Sequence, residues 1–176
     1  MIRIVASLAI SILLARTTAA DDADLLKAIA AVSKNGPASP AARSAWDQLV
    51  AQGPATLPKL LQAMDTTDTV VANWLRTAFD RIVDAEMKTG GKRIDADALL
   101  TFVQDAKRQG RARRLALDVV DQLRPGTSGK LMAGWLNDPE FRYEAVAALT
   151  KQADALAKAG SKDQASIPTK AGSAKS

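Results

Sequence analysis

The side chains able to do chemistry in this sequence are carboxylates, arginines and tryptophans. Asp80 and Asp84 stand four apart, and Asp118 and Asp121 stand three apart. On a helix, both spacings stack two carboxylates one turn apart. Acid–base catalysis uses such pairs when burial splits their pKa values. Each pair here follows an arginine: Arg76 precedes Asp80 by four, and Arg114 precedes Asp118 by four. That is the spacing of ordinary ion pairs on a solvated helix face, and surface pairing is the expectation. Asp95-Ala96-Asp97 resembles the start of a calcium loop. An EF-hand needs Gly at its sixth place and Glu at its twelfth, where this chain has Leu100 and Ala106, so helix capping by Asp95 is expected instead.

Lys107, Arg108, Arg111, Arg113 and Arg114 form the dense basic cluster. Such a cluster can hold phosphate, anionic lipid or an acidic partner. Arginines at a helix start oppose the helix dipole. Asp105, Asp118 and Asp121 lie close enough in sequence to compensate, which predicts a solvated turn with local ion pairs. Trp46, Trp74 and Trp135 each have an apolar residue one helical turn away. Core packing is therefore expected of them, rather than a sugar-binding platform. No Ser-x-x-Lys stands at a helix start with the partners a Ser/Lys nucleophile needs.

The 176 residues contain no His and no Cys, and aromatics are 4%. That excludes the usual zinc sites, Cys–His and Ser–His catalysis, imidazole-ligated haem and disulfides. No cofactor is expected. The low aromatic content argues against a surface that stacks nucleic-acid bases. The net charge of +5 arises mostly at the two ends: residues 21–159 carry nineteen basic and eighteen acidic residues. A nearly neutral body does not predict a nucleic-acid partner.

Residues 1–20 read as a cleavable export signal. Arg3 supplies a positive start, Ile4–Leu14 is apolar apart from Ser7 and Ser11, and Ala19-Ala20 offers a small-residue cleavage site before Asp21. The apolar run is too short for a stable span, so no membrane span is expected after its removal. Localisation is expected to be periplasmic or extracellular. Absence of cysteine suits an oxidising exterior.

Residues 21–159 read as one helical domain. No stretch alternates with period two, and Gly and Pro separate amphipathic runs. The expected helices are 22–34 (Leu25, Leu26, Ile29, Val32 inward) and 40–52 (Ala42, Ala45, Trp46, Leu49, Val50), the second capped by Ser39 with Pro40 following. A short helix over 54–64 carries Leu57, Leu60, Leu61 and Met64, with Pro58 near its start. A long one over 68–88 carries Val70, Val71, Trp74, Leu75, Ala78, Ile82 and Val83, and should be the most buried. Then come 96–108 (Leu99, Leu100, Val103, Ala106) and 111–124 (Ala112, Leu115, Ala116, Val119, Val120, Leu123). The last two are 128–136 (Thr127 cap; Leu131, Met132, Trp135, Leu136) and 139–158 (Phe141, Ala145, Ala148, Leu149, Leu156). From Gly160 to Ser176 the tail of Ser, Lys, Ala, Gly and Pro reads as disordered.

These helices make four antiparallel pairs, over 22–52, 54–88, 95–124 and 127–159. A period of this length predicts an all-α fold of stacked helical hairpins. An irregular helical bundle is the alternative. The stretch from Trp135 to Leu149 resembles the turn and second helix of a HEAT repeat, on Asp138, Pro139, Arg142, Ala145, Val146 and Leu149. The stretch 99–123 is similar but looser, with Gly110 in place of the Asp-Pro turn. In 57–83 only the helical pair persists, with Val71 and Ala72 where an arginine would stand. The likeness therefore covers 97–150 better than 54–88. It implies an α-solenoid that serves as a binding scaffold and brings no catalytic residues.

The expected function is an exported, non-catalytic scaffold for a protein partner. The alternative is an auxiliary domain, or a fragment, of a larger exported enzyme. In a solenoid, polar positions of successive second helices become neighbours. Asn73, Arg76 and Asp80, then Arg114, Asp118 and Asp121, then Arg142 and Glu144, are the residues expected to form a partner-binding strip of mixed charge. Mixed charge favours a protein over a polyanion.

Overall fold

The computed structural model describes residues 21–36 and 39–165. The expected export signal, residues 1–20, lies outside the described residues, as does the tail from residue 166. Among the described residues the fold is all-α, with no strand.

The first expected helix is two: α1 (Asp22–Ala30) and the single turn α2 (Val32–Asn35), separated at Ala31. Helix α3 (Pro40–Gln52) begins as its sequence dictates. The Ser39 hydroxyl accepts the Ala42 N–H at 3.4 Å, and Pro40 supplies a preset φ at the first turn. A 3-10 turn over Gly53–Thr56 leads into α4 (Leu57–Ala63). Asp68 caps α5 (Thr69–Met87), accepting the N–H groups of Val70 and Val71. Helix α5 has more buried residues than any other described helix, but not the largest buried share as expected, because Val70, Asn73, Arg76, Thr77, Arg81 and Asp84 are exposed.

Asp95 caps α6 (Ala96–Gln104) through the N–H groups of Asp97 and Ala98. This helix stops four residues short of the expected end. The Asp105 carboxylate takes the Lys107 N–H at 3.0 Å, a local turn that competes with another helical bond. Ala106 consequently points to solvent rather than inward. Helix α7 (Gly110–Leu123) follows, then α8 (Thr127–Leu131) and a 3-10 turn, Met132–Trp135. Thr127 is not the cap of α8. Gly126 holds that position at φ 84°, and the Asp121 carboxylate accepts the Ser128 N–H at 2.8 Å. The last helix, α9 (Arg142–Ala165), continues six residues past the boundary expected at Ala159, so 160–165 is helical rather than disordered.

Each helix packs on its sequence neighbour: α1 on α3, α4 on α5, α6 on α7, and α9 on the Met132–Trp135 turn. These are the four expected pairs. Between pairs, α3 meets α5, and α4 meets both α6 and α7. One continuous apolar cluster runs from Leu25 to Ala145 through Leu49, Leu60, Phe79, Val103 and Phe141. Burial of this shared cluster is what no hairpin achieves alone.

Some inward assignments fail. Val70, Leu136, Ala148 and Leu156 are exposed. Over residues 141–159, Phe141 just ahead of α9, then Ala145 and in part Leu149, are covered, and residues 151–159 are exposed. Phe79, Phe102 and Leu117 are core residues that the apolar spacing did not single out. Trp135 is buried and stacks on Phe141, with centroids 4.5 Å apart. Trp46 and Trp74 are only half-buried against the core.

Candidate functional site

The expected partner strip is only partly assembled. Asn73 and Arg76 of α5 and Arg114 and Asp118 of α7 line one cavity of about 270 Å³. Gln109 and Arg111 join them, with Met64, Ala72 and Leu115 as apolar lining. The other four residues are engaged differently. Asp80 is half-buried and lies 3.5 Å from the Arg76 guanidinium. Burial raises its pKa above the ordinary carboxylate value, with Arg76 opposing and Asp84 adding to the rise. Asp121 holds the start of α8. Arg142 lies over the Tyr143 ring, 4.9 Å from its centroid. Glu144 accepts from Arg114 at 2.6 Å.

A second cavity, of about 340 Å³, lies between α3 and α5. Arg43, Trp46, Asn73, Trp74 and Thr77 line it. The Trp46 indole N–H donates to the Thr77 hydroxyl at 3.0 Å. Asn73 borders both cavities. Arg43 was not singled out from sequence. Its signal was its place three residues before Trp46, on the same side of α3.

The basic cluster is not a solvated turn. Arg113 is completely buried. Two of its nitrogens bind the Asp138 carboxylate at 3.0 and 2.6 Å, its Nε donates to the Val103 carbonyl at 2.7 Å, and its guanidinium lies 4.8 Å from the Phe141 ring centroid. Asp138 also accepts the N–H groups of Glu140 and Phe141 at 2.9 and 3.1 Å. Burial alone would raise the Asp138 pKa, but Arg113 and the two N–H groups outweigh it and hold the carboxyl below its ordinary value. A buried charge survives only when its hydrogen bonds are met, and among the described residues no buried side-chain polar atom lacks a partner.

Arg108 bridges Asp105, at 3.1 Å, and Asp65 of the preceding hairpin, at 3.2 Å. Asp65 also accepts the Gln109 N–H at 2.7 Å. Arg114 binds Glu140 and Glu144 of the following hairpin, and these bonds raise its pKa further. Glu140 lies directly over Gly110, where a Cβ would overlap its carboxylate. The positive start of α7 is thus compensated by Asp65, Asp105 and Glu140. Asp118 and Asp121, the sequence neighbours expected to help, do not make those contacts. Arg111 donates to the Gln109 amide oxygen at 2.9 Å and, unlike Arg108, Arg113 and Arg114, makes no ion pair among the described residues.

Asp95 and Asp97 act as cap and ion-pair partner. Asp97 takes two bonds from Arg124, at 2.5 and 2.9 Å. Glu86, which no motif or spacing marks out, is buried. It binds the Arg93 side chain at 2.6 Å and the Arg93 N–H at 3.0 Å, and these bonds lower its pKa despite burial. They close the loop between α5 and α6. Gly91 in that loop has φ 69°, and a Cβ there would sit 2.5 Å from Leu123.

No family model, curated protein or solved structure matches this chain.

Proposed function

We propose that the protein is an exported scaffold of HEAT-like stacked hairpins that binds a protein partner and performs no catalysis of its own. Residues 1–20 are its export signal in this reading. The observation that carries it is the set of polar ties between consecutive hairpins. Asp22–Lys59 and Trp46–Thr77 join the first to the second. Arg108–Asp65 joins the second to the third, and Arg113–Asp138 joins the third to the fourth. Ties of this kind hold an extended array in register while its outer faces stay available. The cavity shared by α5 and α7 supplies such a face, with side chains from two successive hairpins on one opening.

The test is a photo-reactive residue in place of Asn73, introduced into the full chain in the producing cell. Irradiation is expected to give a covalent adduct with one identifiable protein. The same residue at Lys88, exposed after the far end of α5, should not. Identical adduct patterns at both positions, or none at Asn73, would defeat the reading. Export is checked by intact mass, which should correspond to a start at Asp21 or Ala20.

A further inference from the structure

The two cavities that meet at Asn73 have a one-sided charge. Arg43 lines one, and Arg76, Arg111 and Arg114 line the other. Among the described residues, Asp118 is the single acidic residue lining either. Arg114 is already committed to Glu140 and Glu144. The remaining three guanidinium groups are available. Arg43 and Arg111 make no ion pair among the described residues, and Arg76 is 64% exposed with Asp80 at a loose 3.5 Å. The excess is local, because the body as a whole is nearly neutral.

We infer that this face, from α3 across α5 to α7, binds an acidic extended segment of the partner protein. Its carboxylates meet Arg43, Arg76 and Arg111, and an apolar side chain enters the cavity lined by Trp46 and Trp74. The inference rests on the scaffold reading above and gives its partner a chemistry. Guanidinium groups pair with carboxylates through two parallel hydrogen bonds. Arginine and tryptophan beside apolar pockets are also the usual energetic centres of protein interfaces. The arginines are spread over three helices and two cavities, so a single small anion cannot engage them all. A nucleic-acid strand offers the charge but fits less well. Its bases need an exposed ring face, whereas both indoles are half-buried in the cavity wall.

The experiment uses the full chain and three fluorescent probes. One is a pool of peptides of about twelve residues with Asp or Glu at alternate positions and apolar residues between. The second is the same pool with Lys replacing the acids. The third is an oligothymidine of similar length. Fluorescence anisotropy should show binding of the acidic pool, weakened by added salt, and none of the basic pool. The triple variant R43E/R76E/R111E should weaken binding by more than about tenfold. Its far-ultraviolet spectrum should stay unchanged, since all three side chains are exposed. D118N, which removes the opposing carboxylate, should tighten binding about threefold. Absence of acidic-pool binding, indifference to the triple variant, or equal or tighter binding of oligothymidine would each overturn the inference. A protein adduct at Asn73 without acidic-pool binding would leave the scaffold reading standing and remove this one.

Discussion

Two groups of arginines among the described residues differ in what faces them. Around the start of α7, Arg108, Arg113 and Arg114 each meet carboxylates from a neighbouring hairpin. Across α3, α5 and the outer side of α7, Arg43 and Arg111 meet none among the described residues and Arg76 meets one loosely. Arg111 and Arg113 are two residues apart, yet one is exposed and the other is fully enclosed. On a helix, positions two apart point in different directions. Arg113 therefore faces the packed turn, while Arg111 faces the cavity. The contrast shows that helical phase divides a run of like charge on one helix into enclosed, ion-paired members and solvent-facing ones.

The sharpest way to break this contrast is to remove Arg113. R113A strands the buried Asp138 carboxylate and leaves the Val103 carbonyl unmet. A loss of about 3–5 kcal/mol in unfolding free energy is expected by urea titration. R111A should change stability by no more than about 0.5 kcal/mol in the same measurement. Equal effects would erase the distinction.

Acid provides the next test. The Asp138 pKa is lowered on folding from an ordinary value of 3.8. Its unfolded form thus binds a proton more readily, and its contribution is complete above that value and lost as pH falls through the folded one. D138N should cost about 3 kcal/mol at pH 7, because Arg113 keeps its burial but loses its counter-charge. The gap between D138N and the unaltered protein should narrow once pH drops below about 4. A gap constant from pH 7 to pH 2.5 would show that the charge of Asp138 is not what holds the turn.

Glu86 and Arg93 supply an intermediate case, with one partner buried and the other 75% exposed. E86Q should lower the thermal midpoint by less than R113A and by more than R111A. It should also speed amide exchange in the 88–95 loop, which the Glu86 carboxylate ties down. The smallest effect is expected from R76A, since exposed ion pairs of this spacing contribute little. Its unfolding midpoint should stay within error of the unaltered protein. A clear destabilisation would move Arg76 from the solvent-facing group to the structural one.

Much of the fold is legible in the letters. Helix starts follow Ser39 and Asp95, because their side chains offer acceptors that unpaired helix N–H groups need. The four-pair pattern follows from the placing of Gly and Pro between amphipathic runs. Less of the site was readable. Asp121 and Asp118 look equivalent by spacing, but Asp121 finds the Ser128 N–H while Asp118 borders the cavity. Asp80 and Asp118 each stand four residues after an arginine, yet only Asp118 lines the cavity.

The sequence by itself determined the all-helical class, the hairpin pairing and the lack of imidazole or thiol chemistry. These depend on local backbone preference, apolar period and residue inventory, all of which are properties of short stretches. The tertiary structure alone decided which charges are structural. Arg113 and Asp138 are 25 residues apart, as Arg108 and Asp65 are 43 apart. A charged side chain carries the same label whether solvated or enclosed. Its energy depends on the dielectric and the partner around it, and both are set by which hairpins come together.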